Sequence, residues 1–434
     1  MTRPVYYSSV PLPHSVRATG TATLGTEELA TFVRGAVLDA GLDGAAVLLV
    51  VPDATRTMPL PVVLSAVHGA LAGRVRRLTV LIALGTHRPL TEPELDVHCG
   101  VEPGTWSKRY PGVDRFNHEW WRPEAFVGLG ELDSSTVRQL SEGRLDETIP
   151  VRINRLAVEH DTVLIAGPVF PHEVVGFSGG TKYLFPGIGG QEMIDASHWL
   201  GALVGVGTII GASGTTPVRA MIDRAAALLP TRQLCLAVVV SHDGVHGAFL
   251  DAPVPAQAAA AQLSAEIHVT RVRRPYRRVL SMVPSMYEDI WTAAKGVYKL
   301  DPVTADGGEI VLYAPHVTQL SSTHGEDIRR VGYHCLEYLL GHPDLMATIP
   351  RGVLAHSAHV HGDGTFELVR GERRRVRVTL ATGIPKAECE AVNLGYLDPR
   401  DIDIDEWRDD PDTLVVPHAG EQLYRLIAAP AKEE

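Results

Sequence analysis

Short apolar segments alternate with polar loops and with segments of helical spacing along the first part of the chain. Four of these segments, AAVLLVVPD, LTVLIALGTH, DTVLIAGPVFPH and LCLAVVVSHDG, occupy residues 45–53, 78–87, 161–172 and 234–244. Strands that are apolar on both faces are typical of parallel sheets that helices cover on both sides. The alternation therefore predicts an α/β fold with a mostly parallel sheet.

The pattern restarts after residue 272, which predicts a second α/β unit. Helices are predicted in the first unit at 58–73 and 91–99, the latter with a capping box from Thr91 to Glu94. In the second unit, strands are predicted at 277–284, 309–315, 374–382 and 413–418, and helices at 286–300 and 385–395. We therefore expect two α/β domains, residues 1–272 and a smaller one of residues 273–434. The active site is expected in the cleft between them.

Charge and hydropathy exclude several classes of partner. Forty Lys and Arg against fifty-one Asp and Glu give a net charge of −11, which argues against nucleic acid. The basic segment 269–279 is interpreted as a solvated linker. No apolar run reaches the ~18–20 residues that span a bilayer, and the first residues lack a secretory pattern, so a cytoplasmic protein without membrane contact is expected. The four dispersed cysteines exclude a zinc finger, so any metal would be held mainly by histidine or carboxylate.

Two polar clusters directly follow predicted strands. In PDATRTMP, Asp53 and Thr55 are placed to bind a ribose or phosphate, and Arg56 to bind a carboxylate or phosphate. The alternative is a helix cap with a surface ion pair. In GTHRPLTEPE, His87 is a candidate general base, and Arg88 favours an anion. The alternative there is a turn made by Gly85 and Pro89.

A third cluster, residues 171–200, holds two histidines and a lysine around a glycine-rich loop. The loop GFSGGTK lacks the spacing GxxxxGK[ST], and Tyr183 follows Lys182, so a nucleoside triphosphatase is not expected. Lys182 is a candidate amine nucleophile, and His198, on a predicted helix, a candidate metal ligand. A histidine satisfied within the core is the alternative for His198.

Two further clusters lie in the second unit. Thr292 and Lys295 are three residues apart and share a helical face that suits a substrate carboxylate, unless Lys295 is simply an exposed lysine. The run HSAHVHG brings together His356, His359 and His361. It suggests a zinc site, although no acidic residue completes a known zinc motif nearby. On a strand, His359 and His361 would face the same side.

Taken together, the clusters resemble the lactate racemase family, which uses a nickel-pincer nucleotide. Over most of residues 45–300 the order and spacing fit its D-x-T-R motif, its G-T-H-R motif, and a histidine before an S-G-G-x-K loop with a second histidine after it. In this chain these are Asp53–Arg56, Gly85–Arg88, His172, Ser178–Lys182 and His198. Each motif is weak alone, but the ordered set is specific.

The resemblance implies roles for particular residues. His87 and His172 would exchange protons with the substrate, and His198 would bind nickel. The cofactor, Ni(II)-pyridinium-3,5-bisthiocarboxylate mononucleotide, would be held by a set that includes Lys182 as the point of covalent attachment: Asp53, Ala54, Thr55, Arg56, Ser178, Gly179, Gly180 and Lys182. The smaller C-terminal domain would contribute to binding of the substrate, whose contacts would be Arg56, Trp291, Thr292 and Lys295.

The implied reaction is inversion of a 2-hydroxy acid by proton-coupled hydride transfer through a 2-oxo acid. A hydride route avoids a carbanion beside a carboxylate, and two histidines serve the two enantiomers. The family has a glutamine where this chain has Thr292, and usually a tyrosine where it has Trp291, so a substrate other than lactate is expected. The implied partners are a small 2-hydroxy acid and the proteins that synthesise the cofactor and insert nickel. Two alternatives remain: a zinc-dependent hydrolase or lyase using residues 356–361, and a non-catalytic carrier of the cofactor.

Overall fold

The computed structural model describes residues 14–20 and 22–427. Within these residues the largest element is a seven-stranded sheet in the order β1-β7-β6-β5-β2-β3-β4. Its strands are β1 (His14–Arg17), β2 (Ala46–Pro52), β3 (Arg77–Ala83), β4 (Val113–Asn117), β5 (Thr162–Pro168), β6 (Arg232–Ser241) and β7 (Gly244–Asp251). Strands β6, β5, β2, β3 and β4 are parallel, and β7 is antiparallel to β1 and β6. The predicted α/β fold with a mostly parallel sheet is confirmed.

Helices cover both faces of this sheet. They are α1 (Thr26–Asp39), α2 (Leu60–Leu71), α3 (Glu92–His98), α4 (Gln191–Val204), α5 (Pro217–Ala226) and α6 (Pro253–His268). Along β2, Val47 and Leu49 join the core under α1 and α2, whereas Leu48 and Val50 join the core under α4, α5 and α6. This alternation follows from the two-residue period of a strand. The capping box at Thr91 and Glu94 is present.

A second sheet of the described residues has five parallel strands in the order β11-β10-β9-β8-β12. They are β8 (Tyr276–Met282), β9 (Thr304–Ala314), β10 (Arg377–Thr382), β11 (Gly395–Tyr396) and β12 (Thr413–Val416), and the long helix beside them is α7 (Arg351–His361). Val279 and Leu312 of this sheet belong to the same buried cluster as Leu48 of the first sheet. A continuous apolar core therefore joins the two halves of the chain.

Shorter elements connect these units. The paired short strands are Phe126–Leu132 with Ile149–Asn154, Pro171–His172 with Gly176–Phe177, Val269–Val272 with Leu423–Leu426, and Gly364–Glu367 with Gly371–Arg374. The short α-helices are Trp106–Arg109, Ser134–Leu140, Val206–Ile209, Ile290–Ala293, Lys295–Tyr298, Gly325–Val331, Leu336–Leu340, Pro343–Thr348, Lys386–Ala391 and Ile404–Asp409. The 3-10 helices are Pro123–Ala125, Arg155–Ala157, Gly180–Tyr183, Asp301–Val303 and Pro399–Asp401.

Two local predictions were wrong, the helix at 286–300 and the linker at 269–279. The helix predicted at 286–300 begins only at Ile290, because the Asp289 side chain accepts the Thr292 N–H as an N-cap, and it is interrupted at Ala294. The segment with three histidines, considered as a strand, forms the end of α7. The alternation of histidines in this segment does not indicate a strand, because residues 356–361 are all buried and no face is left to solvent.

The basic segment 269–279 is not a solvated linker. Val269–Val272 forms a parallel ladder with Leu423–Leu426, and Tyr276 already begins β8. After completing the second sheet, the chain thus pairs residues 423–426 with residues 269–272. The proposed domain boundary at residue 272 stays a prediction. Over residues 14–20 and 22–427, no helix has the length and hydropathy to span a bilayer.

Candidate active site

The predicted site residues meet at the edge of the first sheet where its parallel strands end. Asp53 follows β2, His87 lies four residues after β3, and His172 lies four residues after β5. Adjacent parallel strands bring their carboxyl ends together, and ligands bind there in α/β proteins. These residues line one pocket with a cavity volume of about 120 Å³. Its opposite wall comes from later residues, including Trp291, Lys295 and His356.

Asp53 and His87 form a hydrogen-bonded pair. The Asp53 carboxylate contacts His87 Nδ1 and also accepts the Thr55 hydroxyl at 2.7 Å and the Thr55 N–H at 3.1 Å. Burial alone would raise the pKa of Asp53, but His87, Arg56 and the hydrogen bonds hold it well below its usual range. An ionised Asp53 keeps a proton on His87 Nδ1 and leaves the Nε2 lone pair of the neutral ring free. His87 is therefore oriented as a general base.

His172 has the complementary arrangement. Its Nδ1 accepts the Val174 N–H at 3.1 Å, so the neutral ring carries its proton on Nε2. The ring is 6% exposed, and this burial lowers its pKa well below the ordinary value, with Glu173 opposing. The Glu173 carboxylate lies 3.5 Å from Nδ1. In the neutral ring Nδ1 is occupied by the Val174 N–H, so the N–H group that His172 can offer to a ligand is the one at Nε2.

Lys182 lies on the glycine-rich loop with its amine toward the pocket. Burial, and then the charge of Arg56, lowers the pKa of Lys182 to about 7. Among the residues that the structure describes, its amine has no hydrogen bond or ion pair. A large fraction of Lys182 is consequently a neutral amine near pH 7, which is the reactive form of a lysine nucleophile.

The other loop residues shape the backbone. Gly179 has a φ of +83°, and a Cβ there would lie 2.6 Å from Val169 Cγ2. A Cβ on Gly180 would lie 2.8 Å from the Gln257 Cβ, so both positions require glycine. The Ser178 hydroxyl is occupied by the backbone of Phe170 and Pro168. Ser178 and Gly179 line the pocket, whereas Ala54 and Thr55 line a smaller neighbouring one.

The His198 ring is oriented by a hydrogen bond to the backbone of its own helix. It lies on α4, and its Nδ1 donates to the carbonyl of Ile194, one turn earlier, at 2.7 Å. That bond fixes the tautomer and leaves the Nε2 lone pair to face the pocket. Burial lowers the pKa of His198, so the ring is neutral as metal binding requires.

Three basic side chains and three carboxylates line the pocket. The basic ones are Arg56, Lys182 and Lys295, and the carboxylates are Asp53, Glu173 and Asp195. Lys295 is 7% exposed and lies 4.8 Å from the centre of the Tyr287 ring. Burial, and then the charge of Arg56, holds the pKa of Lys295 well below its ordinary value. An anionic ligand would restore its charge, so this part of the pocket suits a carboxylate.

Of the two neighbouring residues Trp291 and Thr292, Trp291 alone lines the main pocket. Trp291 lines the main pocket, with the rings of His324 and His356 at 4.3 and 4.4 Å from its ring centre. Thr292 lines the neighbouring pocket instead, and its hydroxyl donates to the Asp289 carboxylate at 2.8 Å. The predicted contact of Thr292 with substrate has no support in this arrangement. Arg88, expected to favour an anion, is paired with Glu94 and Glu288.

The three histidines of α7 do not converge. His356 and His359 line the main pocket, whereas His361 Nε2 lies 3.2 Å from the Glu372 carboxylate. Over the described ranges 14–20 and 22–427, no three His, Cys, Asp or Glu side chains are arranged to hold a metal ion. The zinc-site hypothesis at 356–361 therefore gains no support from the geometry.

Several pocket residues were not identified from the sequence. Glu173 adjoins His172 in the chain, and that proximity was the available signal. His324 lies in the segment SSTHGED, and Tyr298 follows Lys295 by three residues, so neither position has a motif. His324 is brought to the site by a hydrogen bond between its Nε2 and the Thr86 hydroxyl at 3.0 Å. His324 and Thr86 are 238 positions apart in the chain, and a contact between such distant residues leaves no pattern in the sequence.

The fold and the pocket define an α/β protein in which two histidines of opposite hydrogen-bonding polarity lie in one pocket with buried basic side chains. Residues 26–206 match the sequence family described as the lactate racemase N-terminal domain. The lactate racemases of Thermoanaerobacterium thermosaccharolyticum and Lactiplantibacillus plantarum are 28% and 30% identical over 156 residues. Each match covers 35% of this chain and 32% of the relative. The matched segment thus spans about a third of the curated relatives' length.

Two solved structures resemble the chain over most of its length. A protein from Thermotoga maritima has a TM-score of 0.87 and 33% identity, covering 95% of this chain and all of its own. The lactate racemase apoprotein of Thermoanaerobacterium thermosaccharolyticum has a TM-score of 0.68 and 18% identity, covering 91% and 92%. The second likeness concerns the fold alone. Over residues 26–206 the chain is thus similar to lactate racemases in sequence, and over most of its length it shares the fold of a lactate racemase apoprotein.

Proposed function

We propose that this protein is a racemase or epimerase of 2-hydroxy acids that works with a nickel-pincer nucleotide. One observation carries the proposal: His87 and His172, with opposite hydrogen-bonding polarity, line the same pocket as Lys182 and His198. A carrier of the cofactor would use Lys182 and His198 but would have no use for the two histidines or for Lys295.

The donor set fits the proposed cofactor. His198 offers a neutral imidazole with a free Nε2, a ligand that suits nickel(II). Because its pKa is lowered to about 7, Lys182 offers a substantial fraction of neutral amine near pH 7, the form that covalent attachment requires. Arg56 offers a guanidinium toward the same space for a phosphate or carboxylate. When bound, the nucleotide would supply the hydride acceptor and donor for the substrate's second carbon.

The chain's own residues would move the protons. His87 Nε2 accepts the hydroxyl proton of one enantiomer, and Asp53 stabilises the imidazolium that results. His172, on another strand end, would donate the Nε2 proton to the 2-oxo oxygen as the opposite enantiomer forms. To end this step as a neutral ring it must enter it as the imidazolium, with its second proton on Nδ1 toward Glu173 in place of the contact with the Val174 N–H. The two histidines exchange these roles for the reverse reaction.

Arg56 and Lys295 would hold the substrate carboxylate. Both side chains reach the pocket, and an ionised carboxylate compensates for the burial of Lys295. A fixed carboxylate lets only the reacting carbon change its geometry between enantiomers. The predicted cofactor-synthesis and nickel-insertion partners, and the predicted cytoplasmic location, belong to the same proposal.

The test uses holoenzyme made together with cofactor-synthesis proteins. Nickel content and intact mass are measured first, followed by chiral analysis of a panel of 2-hydroxy acids in D₂O. We expect inversion with the original hydrogen retained on the second carbon, because hydride returns from the cofactor. His87→Ala and His172→Ala should keep nickel but lose inversion. Full activity in both variants, or deuterium at the second carbon, would contradict the proposed roles.

A further inference from the structure

One carboxylate of the pocket lies directly beside a histidine that the proposed mechanism uses. The Glu173 side chain is 14% exposed, and its carboxylate lies 3.5 Å from His172 Nδ1. The same Nδ1 accepts the Val174 N–H at 3.1 Å. The two contacts compete, because the N–H needs a lone pair on Nδ1 and the carboxylate needs a proton there. His172 therefore has one partner for Nδ1 without a proton and another for Nδ1 with one.

Residues from the second half of the chain surround Glu173 and keep it ionised. The Tyr298 hydroxyl forms a hydrogen bond with the Glu173 carboxylate. Lys299 is 3% exposed, and its amine donates to the Gly420 carbonyl. Burial alone would raise the pKa of Glu173, but the charges of His172 and Lys299 hold it well below its ordinary value. An ionised carboxylate beside a ring favours a proton on that ring.

Charges of both signs act on His172. Burial lowers the pKa of its ring and Glu173 raises it, whereas three basic side chains lower it further, namely Lys182, Arg56 and Lys299. The other titratable groups that face Glu173 are Lys295, Tyr287, Tyr298, His198, His356 and His359. Without the charge of Glu173, burial and the basic side chains would leave the His172 ring neutral over a wider pH range.

The other histidine of the pair has a carboxylate in the equivalent place. His87 Nδ1 contacts the ionised Asp53, which keeps a proton on that nitrogen. Each of the two rings has to carry the extra proton in one direction of the reaction and accept it in the other. Glu173 occupies beside His172 the place that Asp53 has beside His87.

We propose that Glu173 is a positioning residue that holds a proton on His172 Nδ1 during the reaction. This inference rests on the proposed racemase function and adds a residue to the same site. When Nδ1 takes up a proton, the ring exchanges the Val174 N–H for the Glu173 carboxylate. The Nε2–H bond then breaks as the proton passes to the 2-oxo oxygen, and its electron pair stays on Nε2. The neutral ring that remains has its proton on Nδ1, so its Nε2 can accept a proton in the reverse direction.

The first test observes the His172 ring without turnover. Holoenzyme with ¹⁵N-labelled histidine is titrated from about pH 7 to about pH 5, and His172→Gln assigns the signals. We expect Nδ1 of His172 to become partly protonated as the pH falls. Glu173→Gln should abolish this protonation, and Glu173→Asp, which keeps the charge, should retain part of it. A wild-type ring that gains no proton on Nδ1, or an equal gain in Glu173→Gln, would overturn the proposal.

The second test measures kinetics with nickel-loaded enzyme and the 2-hydroxy acid of the panel that is inverted fastest. Glu173→Gln should lower kcat by about 10²-fold with little change in KM. It should also move the alkaline decline of kcat to lower pH, because His172 loses its proton more readily. Glu173→Asp should restore part of both values. Glu390→Gln, at a carboxylate that is 57% exposed beside Lys386, should change neither.

The two tests separate this inference from the proposed function. An unchanged pH profile in folded, nickel-loaded Glu173→Gln would overturn the role of Glu173 but leave the racemase standing. If the loaded enzyme inverts none of the acids, the proposed function fails, and the titration still decides whether Glu173 holds the proton on His172.

Discussion

Asp53 and His87 leave adjacent parallel strands, and their contact determines which nitrogen of His87 faces the pocket. An amide at position 53 can donate to Nδ1, which would turn the neutral ring into the tautomer with the proton on Nε2. We therefore expect Asp53→Asn to reduce kcat by about 10²–10⁴-fold while nickel remains bound. Steady-state kinetics and metal analysis of the holoenzyme check this.

Thr55→Ala is the matched control, because it removes one hydrogen bond to Asp53 but keeps the carboxylate. It should cost less than about tenfold in kcat, in line with the loss of one hydrogen bond. Equal losses in the two variants would mean that Asp53 supports the loop rather than the tautomer of His87.

The burial of Lys182 sets the pH range in which its amine reacts. Because its pKa is lowered to about 7, the neutral form predominates above that pH and is lost as the pH falls below it. Acylation of Lys182 in the apoprotein should therefore rise between about pH 6 and pH 8 and then level off. Peptide mass spectrometry over a pH series measures this.

Lys386, a lysine whose side chain is 65% exposed, provides an internal reference in the same digest. Lysines of ordinary pKa continue to gain reactivity toward about pH 10. If Lys182 followed that course as well, the pocket would not be lowering its pKa, and ready attachment of a cofactor at neutral pH would lose its basis.

At the scale of elements, the glycine-rich loop depends on backbone geometry that side chains disturb. Gly179→Ala places a Cβ against Val169 at a φ of +83°, and should cost about 1–3 kcal/mol of unfolding free energy. Gly85→Ala, at a φ of +57° with nothing within 4 Å of the added Cβ, should cost about 1 kcal/mol. Denaturant unfolding of both variants measures the difference. Equal losses of unfolding free energy would show that the loop moves to make room for the added Cβ.

The elements that the sequence predicts correctly are those whose signal is local. Strand β2 is apolar on both faces because it is buried on both faces, and Thr91 caps α3 through a residue three positions away. The end of α7 was missed because HSAHVHG has no helical apolar face. Its histidines are buried in different places, His356 and His359 at the pocket and His361 against Glu372. In the site, the motifs located His87, His172, Lys182 and His198. The pairing of Asp53 with His87 and the position of His324 depend on contacts between distant segments.

At the scale of the whole molecule, the pocket needs both sheets. The first sheet supplies His87 and His172, the histidines proposed to transfer protons, and residues after 272 supply Lys295, His324 and His356. Two connections hold these parts in register. Leu423–Leu426 pairs with Val269–Val272, and Arg425 donates to the carbonyl of Gly207 at 3.0 Å. Both connections lie away from the pocket, so stability and chemistry can be varied separately.

Leu423 tests whether the molecule unfolds as one unit. Its side chain is fully buried in the core cluster that contains residues of both sheets. Leu423→Ala should cost about 2–5 kcal/mol and lower the Tm of a single calorimetric transition, because the shared core couples the two sheets. Leu426→Ala, on the same strand but 39% exposed, should cost less than about 1 kcal/mol. Two separate transitions, of which Leu423→Ala shifts only one, would show that the sheets unfold independently and that the pocket forms between autonomous domains.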